Sequence, residues 1–483
     1  MIVGIDIGTQ SLKVVVVDDD LRPLGSAVSA YRASFPRPGW AEQDPGLWER
    51  ALRPTIGEAL EQASIAPQDV KALGISGQLD GCIAVDRQGR ALAPCVIWMD
   101  RRAEDEIQDI PGERVRESAG LTLDPTHMAA KIRWWKRHLP GDVFRFHQPV
   151  SYMVAKLTGA HIFDHALAST TMLYSLKERR FDPILLEAFA IGIDELPELA
   201  DAEALAGTLS AAGAELTGLV RNTPVAVGTG DDFSSPLGAG LMRPGRVVCG
   251  LGTAEVVGAL HPEPAIDRQG LVETHAYADG LYFIENPGWL SGGALTWFVD
   301  SFGLADVAEL DRRAERVAPG ADGVLFLPAL SGAMAPEWIA GARGCFYGLT
   351  PAHGTEHLAR ATLEGCGFAM RDVIERLDEM GVATDALLLL GGGAQSRLWA
   401  EIRADMTGRP VERPAETRTS PIGATMLAAV AAGIQPDLST AVGLAEGALE
   451  VIEPEPTRKE AYDDAYRNYR RLFDSLRPMF GAG

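Results

Sequence analysis

Aspartates next to glycines occur where apolar runs end, a pattern that suits binding a phosphate and moving a proton. In MIVGIDIGTQSLK, the apolar run of residues 2–7 contains Asp6, Gly8-Thr9-Gln10-Ser11 turns the chain, and Lys13 follows. Glycine lets a ligand approach the backbone, and successive N–H groups in such a turn form an anion-binding nest. Asp6 could hold Mg2+ through water and Lys13 could reach a phosphate, although an ordinary hairpin turn has the same composition. In PVAVGTGDDFSSPLGAG (224–240), an apolar strand runs into Gly228-Thr229-Gly230 and then Asp231-Asp232. A carboxylate beside a glycine turn at a strand's carboxyl end is placed to take a proton from a ligand. The alternative is that Asp231 caps a helix starting near Ser234. Gly252-Thr253 offers a second phosphate turn. Gly391-Gly392-Gly393 would let a flat ligand lie against the backbone, or would pack a strand tightly on a helix.

The elements that must position these residues alternate between strand and helix. Residues 2–7, 14–17 and 21–28 read as strands separated by turns, and 246–251 and 254–260 form a similar hairpin around the second Gly-Thr pair. The two pairs lie about half a chain apart, which hints at two related α/β domains. Residues 70–76, 84–86 and 386–390 read as strands, and 131–138, 149–157 and 355–380 as helices, with Gly159 and Gly381 as stops. Ser420-Pro421 reads as an N-cap followed by proline in the first helical position, opening a helix that stops at Gly433. The tail, 456–480, carries Tyr462, Tyr466, Tyr469 and Phe473 on one face and is expected to pack back on the body. The domain boundary is expected near 240–245, giving domains 1–243 and 244–483.

Composition excludes several classes. With 44 basic and 66 acidic residues the net charge is −22, which disfavours a nucleic-acid surface. The helix at 131–138, with Trp134, Trp135 and four basic residues, is therefore read as a core-facing tryptophan pair with a solvated basic side. No apolar stretch is long enough for a membrane span, the start lacks a signal peptide's basic region, and the five cysteines are odd in number and scattered. A cytoplasmic protein with reduced thiols and no membrane partner is expected. No GxxxxGK[ST] occurs, and no GxGxxG stands between a strand and a helix with an acidic partner downstream, so P-loop and dinucleotide sites are disfavoured.

Taken in order, these motifs resemble the FGGY carbohydrate kinases of the actin/Hsp70-like ATPase superfamily, most nearly the xylulokinases. The resemblance spans nearly the whole chain and includes GWAEQDP (39–45), ALGISGQ (72–78), VIWMDRR (96–102), LPALSG (327–332) and ARGCFYGLT (342–350). It implies an α/β fold of two actin/Hsp70-like (ribonuclease H-like) domains with an interdomain catalytic cleft. The implied reaction is ATP- and Mg2+-dependent phosphorylation of a small neutral ketose or polyol, D-xylulose to D-xylulose 5-phosphate first among them. By this resemblance Asp231 is the general base and stays ionised at neutral pH, and Asp6 lies at the metal and phosphate site. Thr9, Gln10, Ser11 and Lys13 line the first phosphate loop, and Gly252 and Thr253 the second. Gly392, Gly393 and Arg397 lie by the adenosine, with Gly292 and Thr296 further nucleotide-site candidates. Many relatives are dimers, but no segment here identifies an interface.

The chain departs from the xylulokinase pattern in the acceptor loop. Gln78 is followed by Leu79-Asp80 where Met-His is usual, and Asp232 replaces the asparagine after the base. Glycerol kinases carry an acidic residue at the position of Asp80, but an arginine where this chain has Leu79. His127 matches a position that often touches substrate, or else is a solvated or capping histidine. Carboxylates accept hydroxyl hydrogen bonds, so Asp80 and Asp232 favour a neutral polyol or ketose over a gluconate. Ribulose, a pentitol, a tetritol and glycerol remain alternative acceptors. A non-catalytic nucleotide switch or sugar sensor is the alternative of another class.

Overall fold

A computed structural model describes residues 1–139, 141–445, 447 and 449–481. The chain divides into two compact units. The first comprises Met1–Met242, Thr274–Tyr282 and Arg418–Glu446, and the second Arg243–Glu273, Phe283–Thr417 and Gly447–Gly483.

In the first unit, strands β1 (Ile2–Ile7), β2 (Ser11–Val17), β3 (Pro23–Ala30), β4 (Ala72–Gly77), β5 (Leu205–Thr208) and β6 (Pro224–Ala226) form a sheet in the order β5-β6-β4-β1-β2-β3. A short strand β7 (Thr229–Gly230) also pairs with β4. Every residue of β1 and β4 is buried, as expected for near-continuous apolar strands covered on both faces. Register then decides what meets at the strand ends. Antiparallel pairing of β1 with β2 sets Asp6 opposite Lys13. Parallel pairing sets Ile7 beside Gly77 and Gly77 beside Gly230, so the segments leaving β1, β4 and β7 start at one level.

The Thr419–Ala431 helix packs on β1, β4 and the Asp231–Gly238 helix. Glycines permit this approach. A Cβ on Gly74 would lie 1.9 Å from the Ala424 carbonyl oxygen, and one on Gly238 1.9 Å from that of Thr419. The helix begins two residues earlier than expected, at Thr419 rather than Pro421, with Arg418 at the N-cap position. Ser420 is therefore inside the first turn, and its hydroxyl pairs with Ser76 Oγ at 2.8 Å instead of capping.

In the second unit, β8 (Gly245–Leu251) pairs antiparallel with β9 (Ala254–His261) and parallel with β10 (Thr384–Leu390). β11 (Val411–Pro414) lies parallel to β10, and β12 (Leu449–Ile452) closes that side antiparallel to β11. The expected helix over 355–380 is found as Thr355–Glu379, and the tail forms the Pro456–Leu476 helix. Tyr462, Tyr469 and Phe473 of the tail are fully buried in this unit's core, as the amphipathic pattern implies. No helix among the described residues is long and apolar enough to cross a membrane.

Candidate active site

Asp6 is 2% exposed. Its Oδ2 accepts a hydrogen bond from Lys13 Nζ at 3.1 Å, while its Oδ1 is buried with no hydrogen-bond partner. The Asp6 charge raises the affinity of Lys13 for its proton, so the amine stays cationic. The turn between them is closed by Gly8 N–H donating to the Ser11 carbonyl (3.0 Å). It is buttressed by Tyr31 Oη donating to the Gly8 carbonyl (2.8 Å) and Trp98 Nε1 donating to Thr9 Oγ1 (3.0 Å). Gln10 lies exposed on this loop and Ser11 opens β2.

Asp231 is the first residue of the Asp231–Gly238 helix, and Gly230 occupies the N-cap position. The capping alternative therefore fails, because the helix starts at the aspartate rather than near Ser234. Burial first, and the Asp6 charge second, push the Asp231 carboxyl up to about 7, against the opposing pull of Lys13. This corrects the expectation of a fully ionised group at neutral pH: the neighbouring negative charge and the loss of water outweigh the cation.

The acceptor-loop candidates meet beside it. Gln78 N–H donates to the Ile7 carbonyl, and Gln78 Nε2 to Gln43 Oε1 at 2.7 Å. Gln43 Nε2 in turn reaches the Thr9 carbonyl at 2.5 Å, which ties this loop to the Gly8–Ser11 turn. Gln78 Oε1 and Asp80 Oδ1 are buried without hydrogen-bond partners. Asp80 Oδ2 lies 3.2 Å from His127 Nδ1. His127 is buried and makes no cap bond, so it is neither a solvated nor a capping histidine. Leu79 packs into the space that Gly230 leaves, where a Cβ would stand 1.9 Å from Leu79 Cδ2. Leu79 thus makes an apolar contact beside Gly230 rather than a polar one. Asp232 follows Asp231 on the first turn of its helix.

Sequence reasoning missed the residues behind this loop. Trp134 and Trp135 are buried as expected, but Lys131 is buried with them at 1% exposure, and its Nζ donates to the Asp80 carbonyl at 2.6 Å. The helix is therefore not basic-side-out at Lys131. Gln148, fully buried, accepts the Asp80 N–H at 2.9 Å. Neither contact has a local signal, because each partner lies more than 50 residues away in the chain.

The second unit brings its glycine candidates to one hairpin. Gly293 N–H donates to the Thr253 carbonyl at 2.9 Å. A Cβ on Gly292 would stand 2.2 Å from the Gly252 carbonyl oxygen, and one on Gly393 2.8 Å from Leu251 Cβ. Gly392 is exposed, with open space where a Cβ would lie. Below the hairpin, Glu255 and Arg403 form a fully buried ion pair (2.5 and 2.8 Å), and Ser291 Oγ donates to Glu255 at 2.7 Å. Arg397 is engaged at the surface by Glu401 (2.9 Å) and Glu450 (2.6 Å), and exposed Thr296 donates to the Gly292 carbonyl (3.2 Å). The five cysteines are unpaired as thiols.

Comparison with known proteins bears directly on this arrangement. Residues 1–238 match the N-terminal domain, and 247–432 the C-terminal domain, of the FGGY family of carbohydrate kinases. The chain is 31% identical to the xylulose kinase of Escherichia coli (strain K12), covering 99% of this chain and 100% of that protein. It is 30% identical to the glycerol kinase of Thermococcus onnurineus (strain NA1), covering 95% of each. A crystal structure of xylulose kinase from Rhodospirillum rubrum superposes with a TM-score of 0.92 at 30% identity, covering 100% of both chains. The two sheet-bearing units have the actin/Hsp70-like α/β fold.

Proposed function

Because the chain belongs to the FGGY family of carbohydrate kinases, we propose that it transfers the γ-phosphoryl group of ATP to a hydroxyl of a small neutral ketose or polyol, with D-xylulose the first candidate. The observation that carries this reading is Asp231, a carboxylate titrating at about 7 beside the Asp6–Lys13 pair and a loop of unsatisfied acceptors. Asp231 accepts the proton of the attacking hydroxyl. Phosphoryl transfer asks the protein mainly for positioning and charge neutralisation. Lys13 and the N–H groups of the first turn supply these to phosphate oxygens. The Gly252-Thr253 hairpin and the glycines packed on it form the nucleotide side, with Gly392 and Gly393 against the adenosine.

The residues present fit a magnesium ion. Asp6 offers one buried oxygen with no hydrogen-bond partner, and Mg2+ is commonly held by one or two carboxylates together with substrate phosphates. Bound there, it would neutralise charge on the phosphate oxygens.

The unpartnered oxygens of Gln78 and Asp80 need hydroxyl donors, which supports a neutral acceptor and disfavours a carboxylate-bearing one. Glycerol is a second reading, supported by Asp80 and by relatives named as glycerol kinases. A coupled ADP-release assay across ketopentoses, pentitols, tetritols, glycerol and gluconate, with Asp231→Asn as control, tests the proposal. One neutral acceptor should stimulate release, and the control should lose about 10²–10⁴-fold. Acceptor-independent hydrolysis that survives Asp231→Asn would point instead to a nucleotide switch.

A further inference from the structure

Asp80 has φ +53°, a left-handed conformation that side-chain-bearing residues rarely adopt, though aspartate tolerates it better than most. Both backbone polar groups of this residue are taken by buried side chains from elsewhere in the fold. Its N–H donates to Gln148 Oε1 (2.9 Å), and its carbonyl accepts from Lys131 Nζ (2.6 Å). Gln148 is itself fixed, its Nε2 donating to the Leu167 carbonyl (3.1 Å) and Thr170 Oγ1 (3.0 Å). Lys131 is 1% exposed, in a setting that includes Cys82, Cys95 and Asp100. An ammonium is costly to bury, so its placement against one carbonyl demands a reason. The Asp80 carboxylate, meanwhile, has one oxygen at His127 and one buried without a hydrogen-bond partner.

We infer that Lys131 and Gln148 are positioning residues that clamp the Asp80 backbone in its left-handed turn, so that the unpartnered carboxylate oxygen is presented to a hydroxyl of the acceptor. The inference rests on the kinase reading above and deepens it: acceptor selectivity is set partly by two residues that never touch the acceptor. The departure at Leu79-Asp80 supplies the recognising carboxylate, and the clamp supplies its direction. Burial lowers the proton affinity of Lys131, and the Asp80 and Asp100 charges offset that fall only in part.

A double-mutant cycle tests this. Steady-state kinetics would be measured with acceptor and ATP varied separately, for wild type, Lys131→Met, Gln148→Leu, Asp80→Ala, and each of the first two variants combined with Asp80→Ala. Each clamp variant should raise the acceptor KM about tenfold or more while the ATP KM stays within about twofold. In the Asp80→Ala background the further effect of either clamp variant should shrink to less than about twofold, because the clamp acts only through Asp80. Effects that multiply fully across the cycle, or an unchanged acceptor KM, would overturn the inference and assign Lys131 and Gln148 to general packing. Should Lys131→Met not fold, the Gln148→Leu cycle carries the same test. If wild type phosphorylates no acceptor, the kinase reading falls and the clamp with it. If wild type turns over but the cycle is additive, only the clamp falls.

Discussion

A base that accepts a proton from an alcohol must be ionised when the acceptor binds, so the position of its titration decides the working pH. Asp231, the proposed base, is raised to about 7 by burial and by the Asp6 charge, and in that role it would act deprotonated. Activity should therefore be lost as pH falls through about 7, with kcat/KM for the acceptor dropping about tenfold for each further pH unit. Replacing Asp6 with asparagine removes the second cause of the shift, so the inflection of the remaining activity should move to lower pH. A profile flat from about pH 5.5 to 8.5 would remove Asp231 from the role of base. The glycine turn and paired aspartates around Asp231 were legible in the residue order. Its titration was not, because Asp6 reaches it only through the register of β1, β4 and β7. The same holds for Lys131, whose neighbours in sequence suggest a solvated basic face and whose partner is a carbonyl beyond β4.

At the scale of elements, close approach of the Thr419–Ala431 helix to the first sheet depends on absent side chains. Glycine within a strand pattern is a sign of such approach, and Gly74 in ALGISG is a clear case. Gly74→Ala places a methyl 1.9 Å from a backbone oxygen that has little freedom to retreat. It should destabilise the first unit by about 1–3 kcal/mol or more, read as a lower denaturant midpoint. Gly57 is exposed in the Pro45–Ala63 helix with nothing within 4 Å of its Cβ position. Gly57→Ala should be neutral or stabilising by about 0.5–1 kcal/mol. Equal effects of the two substitutions would contradict the close-packing account. Periodicity located the long helix and the tail helix well, because each carries a continuous apolar face. It misplaced the start at Ser420, since a serine before proline looks like a cap whether or not tertiary packing draws its hydroxyl to Ser76.

For the molecule as a whole, a net charge of −22 conceals carboxylates pulled in opposite directions. Asp182 and Asp463, held by arginines and other donors, are lowered, whereas Asp164, Asp231 and Asp372 are raised to about 7 by burial. The pH dependence of stability is the difference between these groups, so one of them must be isolated to read its sign. Asp372 is suited to this because it ties the tail helix to the Thr355–Glu379 helix. Its Oδ1 accepts from Tyr466 Oη (2.7 Å) and an Arg470 guanidinium nitrogen (2.6 Å), and its Oδ2 is buried without a hydrogen-bond partner. A carboxyl that titrates at about 4 when unfolded and about 7 when folded binds its proton more tightly in the native state. Its contribution to stability is therefore full below about pH 4 and is lost as pH rises towards 7. Asparagine does not titrate, so Asp372→Asn should gain on wild type between pH 5 and pH 8 by on the order of 2 kcal/mol. The gain would appear as a difference in Tm of several degrees. Were Arg470 the dominant influence on Asp372, the native carboxylate would be favoured and the variant would lose ground as pH rises. The direction of that one difference thus decides whether burial or the ion pair governs the seam that holds the tail on the second unit.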